Sequence, residues 1–175
     1  LRIGEVLTYV QKPRFESVGF KGRSSFHAMI LNSPIRLISG GNGESFFMSD
    51  VIAEYVAALN NRYKTGYAKE HTYRADLQSL FERLMPDVRA INEPSHMRCG
   101  APDFMMMRRG VPFGFAEAKD VDKNLDSADY TEQFTRYRNS LNNLIITNYL
   151  EFRFFRDGEE VARVRPARLE NGKIV

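Results

Sequence analysis

The sequence contains little of what several protein classes require. Among its 175 residues there is one cysteine, Cys99, which excludes a disulfide framework and a cysteine-based zinc site. No apolar run reaches the roughly 18–20 residues of a membrane helix, and no segment resembles a signal peptide. The three histidines have no metal-ligand spacing, and there is neither a GxxxxGK[ST] phosphate loop nor a methyltransferase signature. We therefore expect one domain with a real core in a reducing compartment, the cytoplasm, and no membrane partner.

An excess of positive charge is also missing from most of the chain, although the formal net charge is +3. Residues 1–47 hold six Lys and Arg against three acids, whereas residues 48–175 hold nineteen of each. Prolines and the Gly40-Gly41-Asn42-Gly43 cluster interrupt the leading segment. We expect residues 1–47 to be an extension, disordered or upstream of a natural start near Met48, with a basic DNA-contacting arm as the alternative. In the remainder, any phosphate-facing surface must come from local clusters.

Two short apolar segments on either side of Arg109-Gly110 combine two acids with a lysine. As strands joined at that turn they form a hairpin, in which Asp103 falls across from Ala116 or Glu117, depending on the register. Facing or diagonal neighbours of an antiparallel pair lie roughly 5–8 Å apart, so the two carboxylates can converge. Glu117 and Lys119 are two residues apart and leave the strand on the same face. The hairpin is thus predicted to hold two acids that share a hard cation, with an ammonium beside it.

These residue types suit the hydrolysis of a phosphodiester. Mg2+ is usually held by one or two carboxylates, several waters and substrate phosphate oxygens. A bound divalent ion activates water and offsets the charge that develops on the phosphate, and Lys119 beside that water could orient it or accept its proton. The alternative is a solvated hairpin with an ordinary surface Glu–Lys pair. Two observations argue against this alternative. The face of the strand opposite Glu117 and Lys119 carries only small residues, as if a helix packs there: Gly114, Ala116 and Ala118. The charged face also carries Phe113 and Phe115, so it is not simply a solvent-facing surface.

The arrangement Pro-Asp, thirteen residues, then Glu-Ala-Lys resembles the PD-(D/E)xK nuclease signature, with Asp103, Glu117 and Lys119 in its three places. Six segments make the resemblance more specific. Over roughly residues 50–160 they are similar to the amino-terminal, Mrr-like nuclease domain of single-chain type ISP and related restriction-modification enzymes. In order, the segments are Glu70-His71-Thr72-Tyr73-Arg74, Asn92-Glu93-Pro94, Cys99-Gly100-Ala101-Pro102-Asp103-Phe104, Glu117-Ala118-Lys119-Asp120, Thr131-Glu132-Gln133 with Arg136-Tyr137, and Leu144-Ile145-Ile146-Thr147-Asn148-Tyr149-Leu150-Glu151-Phe152-Arg153.

The resemblance implies an α/β fold with a restriction-endonuclease-like core, a mixed β-sheet of about four to six strands flanked by helices. It implies a Mg2+-dependent DNA endonuclease domain, with Mn2+ as a possible substitute, that hydrolyses double-stranded DNA and leaves a 5′-phosphate. Asp103 and Glu117 would ligate the metal, and Lys119 would orient or activate the attacking water. In such enzymes helicase-like and N6-adenine methyltransferase domains lie downstream, so these are the expected partners. Because the sequence holds none of the motifs of those domains, we expect a fragment, a split gene product or a standalone nuclease; the opening residue, Leu1, indicates a fragment or a non-standard start.

Residues on the predicted helices extend this site. Glu70 occupies a position at which related nucleases add another acid to the metal site; the alternative is an acid that favours the helix dipole. Gln133 and Tyr137 lie one helical turn apart and resemble a Gln-xxx-Tyr motif beside the metal site, where we assign Gln133 a catalytic part. Alternatively, Tyr137 is core and Gln133 an exposed helix former. Arg74, Arg136 and Tyr137 are candidate DNA contacts, although each arginine alone is an ordinary surface charge.

Hydrophobic periodicity and turn residues predict the remaining architecture. Ser49 is the expected N-cap of the first helix, and the stretch from Phe113 to Tyr149 reads as a βαβ crossover with parallel strands. We expect a nuclease domain over residues 48–165 and a fraying tail or the start of a linker over residues 166–175. The predicted helices are 50–66, 72–85 and 130–141, and the predicted strands outside the hairpin are 88–93, 144–149, 150–155 and 159–164.

Two other functions remain open at this point. One is a standalone repair exonuclease or a Holliday-junction-resolvase-like nuclease on the same core, which would act on ends or branched DNA. The other is a non-catalytic DNA-binding relic that kept the fold. The intact set of two acids and a lysine argues against a relic.

Overall fold

A computed structural model describes residues 42–95 and 97–175, with side chains from residue 50 onward. Within these ranges the chain forms three helices and eight strands, and a single 3-10 turn, Ala128–Tyr130, precedes the third helix. The helices are α1 (Asn42–Tyr63), α2 (Glu70–Leu84) and α3 (Thr131–Ser140). The strands are β1 (Val88–Asn92), β2 (Phe104–Arg108), β3 (Val111–Ala118), β4 (Asn143–Thr147), β5 (Phe152–Arg156), β6 (Glu159–Val164), β7 (Leu169–Glu170) and β8 (Lys173–Ile174).

Strands β1 to β6 form one sheet in their sequence order. Only β3 and β4 run parallel, because α3 carries the chain back between them; the other four neighbouring pairs are antiparallel. The predicted α/β fold with a mixed sheet flanked by helices, compatible with a restriction-endonuclease-like core, is therefore confirmed, as is the parallel βαβ crossover. The short pair β7–β8 forms a separate two-stranded sheet.

The sheet has an apolar core on each face. Helices α1 and α2 pack on one face, where Ala116 and Ala118 of β3 are fully buried. Helix α3 packs on the other face, against Leu144 and Ile146 of β4. Because side chains alternate along a strand, β4 contributes to both cores, and it is buried from Leu144 to Thr147, as its continuous apolar sequence predicts. The small face of β3 does receive helices, as the sequence predicts.

Both hairpin turns form where the sequence predicts them. Arg109 and Gly110 join β2 to β3 with φ of 51° and 78°. Asp157 and Gly158 join β5 to β6 with φ of 49° and 86°. Two consecutive residues with positive φ are typical of the two-residue turn whose twist matches antiparallel strands, and glycine at the second position adopts that geometry without strain.

Two element boundaries differ most from the predictions. Helix α1 begins at Asn42, so the expected N-cap Ser49 lies inside the helix; the intervening segment has no helix breaker after Gly43. The boundary expected between residues 47 and 48 therefore falls within α1, while residues 1–41, where a basic arm was considered, lie outside the described residues. The expected tail at 166–175 instead folds back: Ile174 is 2 % exposed, and its N–H donates to Asn60 Oδ1 at 3.1 Å.

None of the helices in the described part of the chain has the length and apolar character that crossing a membrane would require.

Candidate active site

The site forms where β2 begins and β3 ends, because the antiparallel pairing brings these two ends together. Phe104 pairs with Ala116, so the preceding residue, Asp103, lies beside Glu117 rather than beside Ala116. Two hydrogen bonds fix Asp103 in place. Its side-chain Oδ2 accepts from the Ala118 N–H at 2.8 Å, and its backbone carbonyl accepts from the Glu93 N–H at 2.8 Å. The carboxylate of Asp103 is therefore anchored to the backbone of β3.

Glu117 is the most deeply buried carboxylate of this group, with a side chain that is 4 % exposed. Its Oε1 accepts two hydrogen bonds, from Lys119 Nζ at 2.7 Å and from Gln133 Nε2 at 2.7 Å. Its Oε2 is buried and has no hydrogen-bond partner in the part of the chain that the structure describes. An unpaired buried carboxylate oxygen is unfavourable, so this oxygen is prepared for a proton or a cation.

The environment of Glu117 favours its protonated form when no cation is bound. Burial raises the pKa of Glu117, and the negative charge of Asp103 raises it further, to about 7. The ammonium of Lys119 acts in the opposite direction but does not restore the ordinary value. Near neutral pH the carboxyl therefore exchanges a proton readily, and a cation can take the place of that proton.

Lys119 is held on the same side of the sheet as Glu117, since the two residues are separated by one position of the strand. Besides its contact with Glu117, its Nζ lies 5.2 Å from the ring centroid of Tyr130 and 5.9 Å from that of Phe134. Both rings belong to the 3-10 turn and the first turn of α3. An ammonium over aromatic faces is stabilised electrostatically and loses rotational freedom. The lysine is consequently restrained beside the carboxylates.

Helix α3 supplies Gln133 and Tyr137 one turn apart. Gln133 reaches Glu117 directly, so it is not simply an exposed helix former. Tyr137 is 2 % exposed and lies in the core beneath the site. Burial raises the pKa of Tyr137, and the nearby charge of Glu117 raises it further. Tyr137 therefore supports the site from below and is not turned toward a solvent-side DNA contact.

The two arginines considered as DNA contacts have different surroundings. Arg136 is half-exposed; its Nε donates to the Cys99 carbonyl at 2.8 Å, and its guanidinium contacts Glu132 at 3.3 Å. Arg74 is buried, and its guanidinium contacts Glu70 at 2.9 Å, Glu93 at 2.6 Å and Oδ1 of Asp103. Arg74 is thus directed at carboxylates rather than at solvent, where a DNA phosphate would lie.

Glu70 is the first residue of α2, and its side chain is 27 % exposed. It shares Arg74 with Asp103 but makes no direct hydrogen bond to Glu117. Its backbone carbonyl accepts from Tyr149 Oη at 3.0 Å, which fixes the start of the helix against the core. Both predicted roles, an acid bordering the metal site and an acid at a helix amino terminus, are compatible with this position.

The residues present fit a hard divalent cation held by few protein ligands. No group of three or more His, Cys, Asp or Glu side chains arranged to hold a metal occurs within residues 50–95 and 97–175. Mg2+ commonly needs only one or two carboxylates, because waters and substrate oxygens complete its shell. Asp103 and Glu117 provide two carboxylates, and the Oε2 of Glu117 has no partner among the described residues.

Three residues of the site were not predicted from the sequence. Glu93 enters it through Arg74, and the rings of Tyr130 and Phe134 enter it through Lys119. Glu93 follows the last residue of β1 and precedes a proline, and β1 pairs with β2 so that Asn92 faces Phe104. A charged residue at the end of a strand next to the strand that carries Asp103 is the signal that would have identified it.

Gly100 closes against the ring of Tyr137 and is expected to tolerate no side chain. A Cβ at this position would lie 3.1 Å from Tyr137 Oη, and the backbone φ of +119° is one that other residues rarely adopt. We expect Gly100→Ala to lower the free energy of unfolding by more than about 1 kcal/mol. Urea unfolding measures this, with Gly110→Ala as the control for positive φ without a close contact. An equal loss in both variants would show that the Tyr137 contact contributes nothing.

Comparisons with known proteins bear on the fold. No family model and no curated protein matches the sequence. Seven chains of solved structures do match. One is from a cryo-electron-microscopy structure of a DrdV–DNA complex, with 21 % sequence identity and a TM-score of 0.56. The similarity covers 67 % of this chain but only 12 % of that chain, so it shows a shared fold over a small part of a much longer protein.

Proposed function

We propose that this chain is a Mg2+-dependent DNA endonuclease domain of a restriction-modification system, with Mn2+ as a possible substitute. The observation that carries the proposal is the pair formed by Asp103 and Glu117, in which the Oε2 of Glu117 is buried without a described partner. Lys119 lies beside this pair at 2.7 Å from Glu117, within reach of a water bound there. A fold kept only for stability gains nothing from an unpaired buried carboxylate.

The charges around the site support a divalent cation. Four carboxylates belong to the cluster, and two cationic side chains, Arg74 and Lys119, contact them. With Glu117 ionised, the cluster therefore carries two uncompensated negative charges, which equals the charge of one divalent ion. Asp103 and Glu117 would hold that ion, with Glu70 bordering it. When bound, the ion would neutralise charge on the scissile phosphate and increase the acidity of water.

The protein side chains have separate tasks in this proposal. Lys119 donates to the oxygen of the attacking water and orients it, because its ammonium is restrained between Glu117 and two aromatic rings. Gln133 keeps Glu117 in one rotamer by donating to its Oε1. The water gives up a proton to solvent and its oxygen bonds to phosphorus. The bond to the 3′ oxygen breaks, this oxygen takes a proton from solvent, and a 5′-phosphate and a 3′-hydroxyl remain. Arg136, which keeps about half of its side chain exposed, is the remaining candidate for a phosphate contact.

Double-stranded DNA is the proposed substrate. The resemblance to type ISP nuclease domains and the similarity of fold to part of a chain from a DrdV–DNA complex both support it. Because the similar region is 12 % of that chain, we further propose that site choice depends on other domains or subunits, helicase-like and methylating. Residues 48–175 carry equal numbers of basic and acidic residues, so this domain alone should hold DNA weakly.

The proposal is tested with purified protein and supercoiled plasmid. We expect nicking or linearisation with Mg2+ or Mn2+ and none with EDTA. Lys119→Ala should lose about 10²- to 10³-fold in rate, as expected for removal of one preorganised hydrogen-bond donor at the reacting centre. Lys123→Ala, a half-exposed lysine that contacts only Asp122 among the ion pairs of the described chain, is the matched control and should cleave normally.

Three outcomes would contradict this proposal. Cleavage that survives EDTA would exclude a divalent cation, and cleavage by Lys119→Ala at the wild-type rate would remove the lysine from the mechanism. Degradation of linear plasmid with the supercoiled form left intact would indicate an exonuclease of the same fold instead of an endonuclease.

A further inference from the structure

Arg74 connects more acids of the site than any other described side chain. One terminal nitrogen, Nη1, donates to Glu93 at 2.6 Å. The other, Nη2, donates to Glu70 at 2.9 Å and to Oδ1 of Asp103. Glu70 belongs to α2, Glu93 directly follows β1, and Asp103 directly precedes β2. With a side chain that is only 10 % exposed, Arg74 is a buried cation between three separate elements.

The contact with Arg74 determines the orientation of Asp103. One oxygen of this carboxylate faces Arg74, and the other accepts from the Ala118 N–H at 2.8 Å. With both oxygens engaged on opposite sides, the carboxylate plane cannot rotate. A carboxylate oxygen has two lone pairs, so each oxygen can still accept one further ligand. Arg74 thus fixes a metal-ligating group without using all of its capacity.

We propose that Arg74 is a positioning residue, an internal cation that holds Glu70, Glu93 and Asp103 together and keeps the site assembled in the absence of a divalent ion. The inference rests on the proposed function insofar as Asp103 is taken as a metal ligand. Without Arg74, Glu70 and Asp103, whose side chains are 27 % and 13 % exposed, would lose their compensating charge, and like charges at short range repel where solvent is limited. Glu93, which is 67 % exposed, would add a weaker repulsion from the solvent side. A divalent ion would then be needed to supply the positive charge that the guanidinium of Arg74 provides.

This role predicts a specific change in how the protein responds to cations. In EDTA, Arg74→Met should unfold at a lower temperature than the wild type, because the acids lose their counter-charge. Adding Mg2+ should raise the midpoint of Arg74→Met at least about three times as much as that of the wild type, since only in the variant does the ion replace a missing charge. Sodium chloride at equal ionic strength corrects for simple screening.

Arg153, which lies outside the site, provides a matched control. It is also a buried arginine between two acids, Asp126 at 2.7 Å and Glu151 at 2.5 Å. Arg153→Met should also lower the midpoint in EDTA, but its response to Mg2+ should equal that of the wild type. This comparison separates a cation that substitutes for a metal from a buried ion pair that only stabilises the fold.

The experiment is differential scanning fluorimetry of the full chain, in EDTA and across a Mg2+ titration. Should Arg74→Met fail to fold in either condition, Arg74→Gln, neutral but able to keep a hydrogen bond, is judged by the same criterion. An equal Mg2+ response in the Arg74 variant and the wild type overturns the inference, as does an enlarged response in Arg153→Met. If the shifts follow the expectation but the wild type never cleaves plasmid, the nuclease proposal fails and the role of Arg74 stands.

Discussion

Replacement of Glu117 by glutamine is expected to abolish Mg2+-dependent cleavage and, at the same time, to remove a pH-dependent loss of stability. The substitution keeps the size of the side chain and an oxygen that can accept from Lys119 and Gln133. It removes the negative charge that the divalent ion requires. Loss of one of two carboxylates should lower the cleavage rate by about 10³-fold or more, the upper range for removal of a single electrostatic contact.

The effect on stability follows from the raised pKa of Glu117. In EDTA the folded protein retains a proton on this carboxyl up to a pKa of about 7, whereas the unfolded chain releases it near 4.5. Between these values the folded state binds more protons than the unfolded state, so stability falls as pH rises through this window and is constant above it. The wild type thereby loses up to about 3 kcal/mol, and Glu117→Gln should not.

Urea unfolding in EDTA at pH 4 and pH 8 measures this difference directly. The free energy of unfolding of Glu117→Gln minus that of the wild type should be larger at pH 8 than at pH 4. The control is Glu82→Gln: Oε1 of Glu82 accepts from the Ala90 N–H at 3.1 Å, outside the site. It should retain cleavage and the wild-type pH dependence. An active Glu117→Gln protein, or one whose relative stability is the same at both pH values, would contradict the assignment.

Replacement of Asp103 by alanine is expected to abolish cleavage too, but with the opposite effect on stability. Unlike Glu117, Asp103 has both oxygens engaged, one with Arg74 and one with the Ala118 N–H. Its removal leaves the backbone N–H of Ala118 without an acceptor, and the buried guanidinium of Arg74 loses one of its three carboxylate partners. Each of these losses is unfavourable, so we expect the free energy of unfolding to fall by about 2–4 kcal/mol.

The matched control for this variant is Asp126→Ala. Asp126 also pairs with a buried arginine, Arg153, but its own side chain is 65 % exposed, and Arg153 keeps Glu151. We expect a loss of less than about 1 kcal/mol there. Chemical denaturation in EDTA compares the two. If Asp103→Ala were as stable as Asp126→Ala, the contacts of Asp103 with β3 and Arg74 would contribute nothing to the free energy of unfolding.

Local chemistry explains which parts of the fold could be predicted. The Arg109-Gly110 and Asp157-Gly158 turns depend on residues that tolerate positive φ, which is a property of two adjacent positions. The buried strand β4 depends on a continuous apolar run, and the parallel pairing of β3 with β4 depends on the intervening helix. Each of these signals involves residues that are near one another in the sequence, so it can be recognised without knowledge of distant contacts.

The two wrong predictions, the tail at 166–175 and the start of α1, concern places where local sequence signals are weak. The short segments at 166–175 have no strong hydrophobic periodicity of their own. Strand β8 forms because Ile174 packs in the core and its N–H donates to Asn60, which lies 114 residues earlier in the chain. At the start of α1, asparagine and serine are both common N-cap residues, so residue type does not distinguish a helix that begins at Asn42 from one that begins after Ser49. In both places tertiary contacts or the absence of a breaker outweigh the local preference.

The sequence by itself determined that two acids and a lysine share one hairpin, because the turn and the alternation of strand residues are local properties. Only the tertiary structure decided how those groups are used. Arg74 meets Glu93 and Asp103 across 19 and 29 positions, and Gln133 meets Glu117 across 16. Such contacts depend on how helices pack on the two faces of the sheet. That packing, and not the order of residues, leaves one oxygen of Glu117 buried without a described partner.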